Sequence, residues 1–197
     1  MKKRMMIMLS TFVLLFGMVG CDELLEDELP EEESIEQESE SETSESMFAN
    51  LNSFEASTLD GDTFTEENFA DYDLTIVNVW GVTCNPCIQE MPELEELRQS
   101  LPKNIQLITL CIDGEDYASE ASEILSSTGF EGITIFPGSE DMETFCSQIM
   151  YTPTTVMFDS KGNAIGTDII GSPANVEEEY YAHINEALEA MGKEGIK

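Results

Sequence analysis

Two cysteines stand three residues apart in the run Trp80-Gly81-Val82-Thr83-Cys84-Asn85-Pro86-Cys87. The run follows an apolar stretch that reads as a buried strand (Leu74–Val79) and opens one that reads as a helix (Pro86–Ser100). Two Cys at i and i+3 in a first helical turn can close a disulfide with little backbone movement. The amide groups that open a helix have no intrahelical acceptor, and the positive end of the helix dipole lies there, so both favour a thiolate on the leading sulfur. A cysteine in such a position has its pKa lowered toward or below neutrality, from about 8.5 when free. The thiolate is the attacking species in disulfide exchange, so the spacing and placement point to redox chemistry at Cys84 and Cys87. Pro86 suits the helix start, because the N–H it lacks would have had no partner.

Other uses of the pair find less support. Zinc wants four ligands, and the chain offers no second C-x-x-C and one histidine, His183. Covalent haem attachment needs a His after the second Cys, where Ile88 stands. A structural disulfide rarely closes so tight a loop at a helix start beside a Trp. No metal ligand set and no cofactor is expected. Nucleic acid is excluded as a partner by charge: 41 Asp and Glu against 8 Lys and Arg give a formal −33, which repels phosphate.

The elements around the pair follow from periodicity and turn chemistry. Phe54–Phe64 reads as a hairpin about Asp60-Gly61, and Ile105–Ile112 as a second buried strand, parallel to the first through the helix between them. That helix carries Ile88, Met91, Leu94 and Leu97 on one side. Tyr117–Thr128 reads as a helix, Gly132–Phe136 as a short strand and Asp141–Met150 as a helix. Thr154–Phe158 and Ala164–Ile170 read as strands joined by a turn over Asp159–Asn163, and Asn175–Met191 as an amphipathic closing helix. The expected class is α/β: one mixed sheet with helices on both faces.

With Thr152-Pro153 placed just before a strand downstream, the chain resembles the thioredoxin superfamily, and within it the membrane-tethered TlpA/ResA-like thiol-disulfide oxidoreductases. The similarity runs from Phe54 to Met191 and includes the N-terminal hairpin and the central helix–strand insert of that branch. It implies that Cys84 is the nucleophile, Cys87 the buried resolving sulfur, and Pro153 a cis-proline lying against the disulfide. A cis bond there turns the backbone of Thr152 toward a substrate peptide, for strand-like pairing that reads no sequence. Trp80 joins Thr152 and Pro153 as an expected substrate contact. Asn78 takes the place of the buried Asp of many thioredoxins, and Glu90, one turn beyond Cys87, is the acid–base group the branch uses. Read alone, Glu90 is equally an exposed helix Glu. Thr83 stands where the superfamily often has Trp, which puts the usual apolar patch beside the sulfur in doubt. Cys111 and Cys146 are expected as separate buried thiols, with a second disulfide the alternative.

The N-terminus reads as an export segment: Lys2, Lys3 and Arg4 precede a 16-residue apolar run, Met5–Gly20, which is short for a membrane span. It ends in Met18-Val19-Gly20-Cys21, which resembles a lipobox, with Cys21 the lipidated residue. The expected organisation is a lipoprotein signal peptide over 1–20, a lipidated, acidic and disordered tether over 21–47, and a thioredoxin-like domain over 48–197. Asp22–Ser46 holds 13 acids, no Lys or Arg and no aromatic residue, and so cannot bury enough apolar surface to offset the entropy of ordering. The resemblance implies an extracytoplasmic enzyme, lipid-anchored to the cell membrane, that reduces protein disulfides. A membrane thiol carrier of the CcdA/DsbD type would supply its electrons, and apocytochrome c or an oxidised surface reductase would be its client. A disulfide-forming oxidant using the same residues is the main rival. A thiol peroxidase and a copper-binding module fit less well, because Thr83 is adjacent to Cys84 and the one histidine lies on the last helix.

Overall fold

A computed structural model describes residues 46–197; the expected signal peptide, Cys21 and most of the tether lie outside the described residues. Seven strands form one sheet in the order β2-β1-β5-β4-β3-β6-β7. The centre is the parallel pair β3 (Leu74–Trp80) and β4 (Ile105–Cys111), in register from Leu74 opposite Ile105 to Trp80 opposite Cys111. Every residue of both strands is buried, as expected of strands covered on both faces. The crossover between them is α1 (Asn85–Ser100). β5 (Thr134–Pro137) follows α2 (Ala118–Thr128) and extends the parallel set beside β4. On the other side β6 (Thr154–Asp159) runs antiparallel to β3. The hairpin β1 (Glu55–Thr58) and β2 (Thr63–Thr65) turns at Gly61, φ +87°, and adds to the β5 edge. α3 (Glu140–Gln148) precedes β6, and α4 (Val176–Ala190) closes the chain.

Alternation along the central strands divides the core in two. Leu74, Ile76 and Trp80 join Ile105, Leu107 and Cys111 in a cluster with the apolar faces of α1, α2 and α4. Val77 and Val79, with Ile108 and Leu110, face Met142 and Phe145 of α3 and a group of phenylalanines from the N-terminal segment. Phe69 stacks on Phe158 at 5.6 Å and meets Phe54 at 5.4 Å. Each such ring contributes about 1.5–3 kcal/mol by leaving water.

Three expectations need correction. The buried residues of α1 are Cys87, Glu90, Met91, Leu94, Glu95 and Leu97; Ile88 is only half-buried. Asp141–Met150 is helical only to Gln148, where Ile149 turns extended (ψ 105°) and starts the approach to Pro153. Ala164–Ile170 is not one strand: Ala164 makes an isolated bridge to Phe158, and β7 is Ile169–Ile170 alone. Between them Gly166 takes φ +73° and packs against Ala187, where a Cβ would lie 3.2 Å from the alanine methyl. The Thr167 carbonyl meets His183 Nδ1 at 2.8 Å, so α4 pulls this segment out of the sheet.

Candidate active site

The end of β3 delivers Trp80 into a short loop, and Cys84 caps the helix that follows. Cys84 N–H donates to the Gly81 carbonyl at 3.0 Å, and its own carbonyl accepts from Ile88 N–H at 3.1 Å. Its Sγ accepts from the Cys87 N–H at 3.3 Å, occupying the place that a Ser or Asp oxygen takes at an ordinary cap. Cys84 and Cys87 form a disulfide, with sulfurs 2.00 Å apart and Cα atoms 5.3 Å apart. Cys84 is half-buried and open to solvent on one side, whereas Cys87 is fully buried. The Pro92 ring within α1 falls on the exposed side, where the hydrogen bond it forgoes costs least.

Thr152-Pro153 is cis and lies against the pair, with the Thr152 carbonyl oxygen 3.4 Å from Cys84 Sγ. The Pro153 carbonyl accepts from Gly171 N–H at 2.8 Å, which ties the loop to the end of β7. Thr83 is exposed, and the apolar surface here comes from Met150 and Tyr151, 80% and 69% exposed just before Thr152. Trp80 is placed differently from the expected substrate contact. Its indole is fully buried beneath the loop and packs in the core.

Behind the disulfide is a polar cluster in an otherwise apolar core. Glu90 is 2% exposed, which excludes its reading as a surface residue. Burial pushes its carboxyl pKa up, against the pull of Ser172 and Asn78. Asn78 Nδ2 donates to Glu90 Oε1 at 2.9 Å and approaches Thr155 Oγ1 and Tyr180 Oη, each at 3.1 Å. Tyr180 Oη and Thr155 Oγ1 are 2.7 Å apart. Burial first, and the Glu90 charge second, hold the Tyr180 phenol well above its ordinary pKa, so it stays a hydroxyl. Two oxygens of the cluster, Glu90 Oε2 and Asn78 Oδ1, have no hydrogen-bond partner among the described residues. The cluster therefore places one titratable carboxyl group, its protonated form favoured by burial, on α1 three residues beyond Cys87.

Sequence reasoning missed Thr155 and Tyr180. The available signal was Asn78 in an apolar strand, because a buried amide requires polar partners from neighbouring elements. Cys111 and Cys146 belong to opposite faces of the sheet and remain free thiols, each pushed up to about 11, chiefly by burial. His183 is held by Thr167 and stands 3.4 Å from Glu179. No cluster of three or more potential metal ligands occurs among the described residues. A cleft of about 470 Å³ lined by Tyr72, Arg98, Lys103 and Ile133 lies at the far end of the sheet, so cavity size does not mark the site.

A half-buried sulfur on a helix start, a fully buried partner sulfur and a cis Thr152-Pro153 bond whose carbonyl lies beside the first sulfur define a thiol-disulfide oxidoreductase of the thioredoxin fold. The chain belongs to the Redoxin family, whose model matches residues 49–184. No curated protein matches it. Among solved structures, it is similar to the thioredoxin domain of a Bacteroides vulgatus thiol-disulfide oxidoreductase, with 12% identity and TM-score 0.56 over 68% of this chain and 94% of that one. A secreted Mycobacterium tuberculosis disulfide oxidoreductase, described as homologous to E. coli DsbE, aligns with 15% identity and TM-score 0.54 over 68% and 95%. StoA from Bacillus subtilis aligns with 19% identity and TM-score 0.52 over 64% and 92%.

Proposed function

We propose that the protein is an extracytoplasmic, lipid-anchored enzyme that reduces disulfides in other proteins. The observation that carries this reading is the unequal exposure of the two sulfurs: Cys84 open at the helix cap, Cys87 sealed beside Glu90. In the reduced enzyme the Cys84 thiolate attacks a substrate disulfide, forming a mixed disulfide and releasing one substrate thiolate, which takes up a proton. Cys87 passes its proton to the Glu90 carboxylate and attacks the Cys84 sulfur of the mixed disulfide, breaking its bond to the substrate; the second substrate thiolate leaves and takes up a proton from solvent. Two electrons and two protons reach the substrate, and the Cys84–Cys87 disulfide forms. The exposed Met150 and Tyr151, with the backbone of Thr152, would receive an extended client segment. A membrane thiol carrier of the CcdA/DsbD type would return the pair to the reduced state, and apocytochrome c or an oxidised surface reductase would be the client. The lipobox-like Met18–Cys21, the acidic tether and the likeness to a secreted disulfide oxidoreductase homologous to E. coli DsbE support the location.

The test is Cys87→Ser in cells, followed by isolation of mixed disulfides on Cys84. A client thiol trapped in the membrane fraction is the expected result, and its loss in Cys84→Ser/Cys87→Ser is the control. Absence of any trapped protein would refute the function. The rival oxidant role uses the same residues and is separated by the reduction potential of the pair, which must be low for a reductant.

A further inference from the structure

The loop that carries Cys84 is held from one side by a residue outside the motif. Asp113 follows the end of β4, and its Oδ2 accepts from the Val82 N–H in a short hydrogen bond. Gly81 makes this approach possible: a Cβ at that position would lie 2.9 Å from the same oxygen. The neighbouring backbone is fastened too, with Ile112 N–H on the Trp80 carbonyl at 2.9 Å and Cys84 N–H on the Gly81 carbonyl at 3.0 Å. The Asp113 carboxylate is half-buried and forms no ion pair with a cation among the described residues.

We propose that Asp113 is a positioning residue for exchange: its carboxylate clamps the Val82 amide to set the Gly81–Cys84 turn, and its charge opposes the Cys84 thiolate and so lowers the reduction potential of the pair. This deepens the reducing role proposed above and rests on it. Val82 is two residues from Cys84, so chain geometry puts the carboxylate within about 10 Å of the sulfur. The other groups facing the pair are Glu90 on α1, Tyr180 on α4 through Asn78, the Thr152 carbonyl and the amides of the α1 start. Of these, the α1 amides favour the anion and Asp113 works against them.

Asp113→Asn tests the charge, because the amide oxygen can still accept from Val82 N–H. In the reduced full-length protein, alkylation of Cys84 against pH at about 0.1 M salt should show its pKa lower by about half a unit, the size of a unit charge near a surface screened over one Debye length. The equilibrium with glutathione, measured at pH 9 where the thiolate dominates, should shift about threefold toward the reduced enzyme. Thermal melting of the oxidised form should change little. Asp113→Ala tests the clamp: hydrogen exchange at the Val82 amide should quicken, and Cys84 exchange with a disulfide peptide should slow. An unchanged Cys84 pKa and glutathione equilibrium in Asp113→Asn would overturn the electrostatic half. An unchanged Val82 amide in Asp113→Ala would overturn the clamp. If the wild-type potential proved strongly oxidising, the reducing function would fall, while the difference between wild type and Asp113→Asn would still decide this inference.

Discussion

Glu90→Gln isolates the buried proton. Burial raises the Glu90 pKa in the folded protein from its ordinary 4.5. Between that value and the folded pKa, the unfolded chain releases a proton that the folded protein keeps. Folding stability therefore falls as pH rises through this window, by about 1.4 kcal/mol per pH unit for one proton. Gln has no proton to lose and nearly the same shape. Its carbonyl can accept from Asn78 Nδ2 as Oε1 does, and its amide can donate toward Asn78 Oδ1, which lacks a partner. The oxidised Glu90→Gln protein should thus gain on wild type from about pH 4.5 upward along that slope, and level off once Glu90 itself ionises. In a domain of this size each kcal/mol moves the melting temperature by about 2–4 °C, so parallel melts of the two proteins from pH 4 to 9 suffice. Glu90→Gln should also lengthen the life of the mixed disulfide by a factor on the order of 10², because Cys87 loses its base. Stability curves that stay parallel above pH 4.5 would refute the buried-proton account, and an unchanged resolving rate would refute the catalytic role.

Two further substitutions probe the scaffold. Glu95 is held by Arg98 at 2.6 and 2.8 Å, with Gln99 and Glu131 N–H adding to the pull, and its pKa falls to about 2. Its contribution is present above the ordinary 4.5 and is lost as pH drops toward 2. Solvent screens the partly exposed Arg98, so Glu95→Gln should cost about 1–2 kcal/mol at pH 7 and almost nothing near pH 2, measured by urea unfolding at both. Gly162 has φ +78°, and a Cβ there would sit 2.1 Å from the Leu51 carbonyl oxygen. Gly162→Ala should therefore cost at least about 2 kcal/mol by undocking the N-terminal segment, while leaving exchange at Cys84 intact.

Local pattern made the central elements legible. The apolar run at Leu74 and its counterpart at Ile105 could only be covered strands, and the C-x-x-C at the strand–helix junction named the chemistry because a helix start is electrostatically the same in any fold. Segment 164–170 misled for the opposite reason. Its β-prone residues suggested a strand, but the packing of Gly166 on Ala187 and the hold of His183 on Thr167, from a helix about 20 residues on, overrode local preference.

The order of amino acids alone determined which two sulfurs exchange and that the leading one caps a helix, since both depend on neighbours within a single turn. It left the state of Glu90 open, because burial is a property of what surrounds a side chain. Only the folded arrangement brought Asn78, Thr155 and Tyr180 from three elements around that carboxyl, sealed Trp80 in the core, put Cys111 and Cys146 on opposite faces, and set Asp113 against Gly81. These contacts join residues 12 to 102 positions apart on different elements, where periodicity carries no information and only the docking of helices on the sheet decides which groups meet.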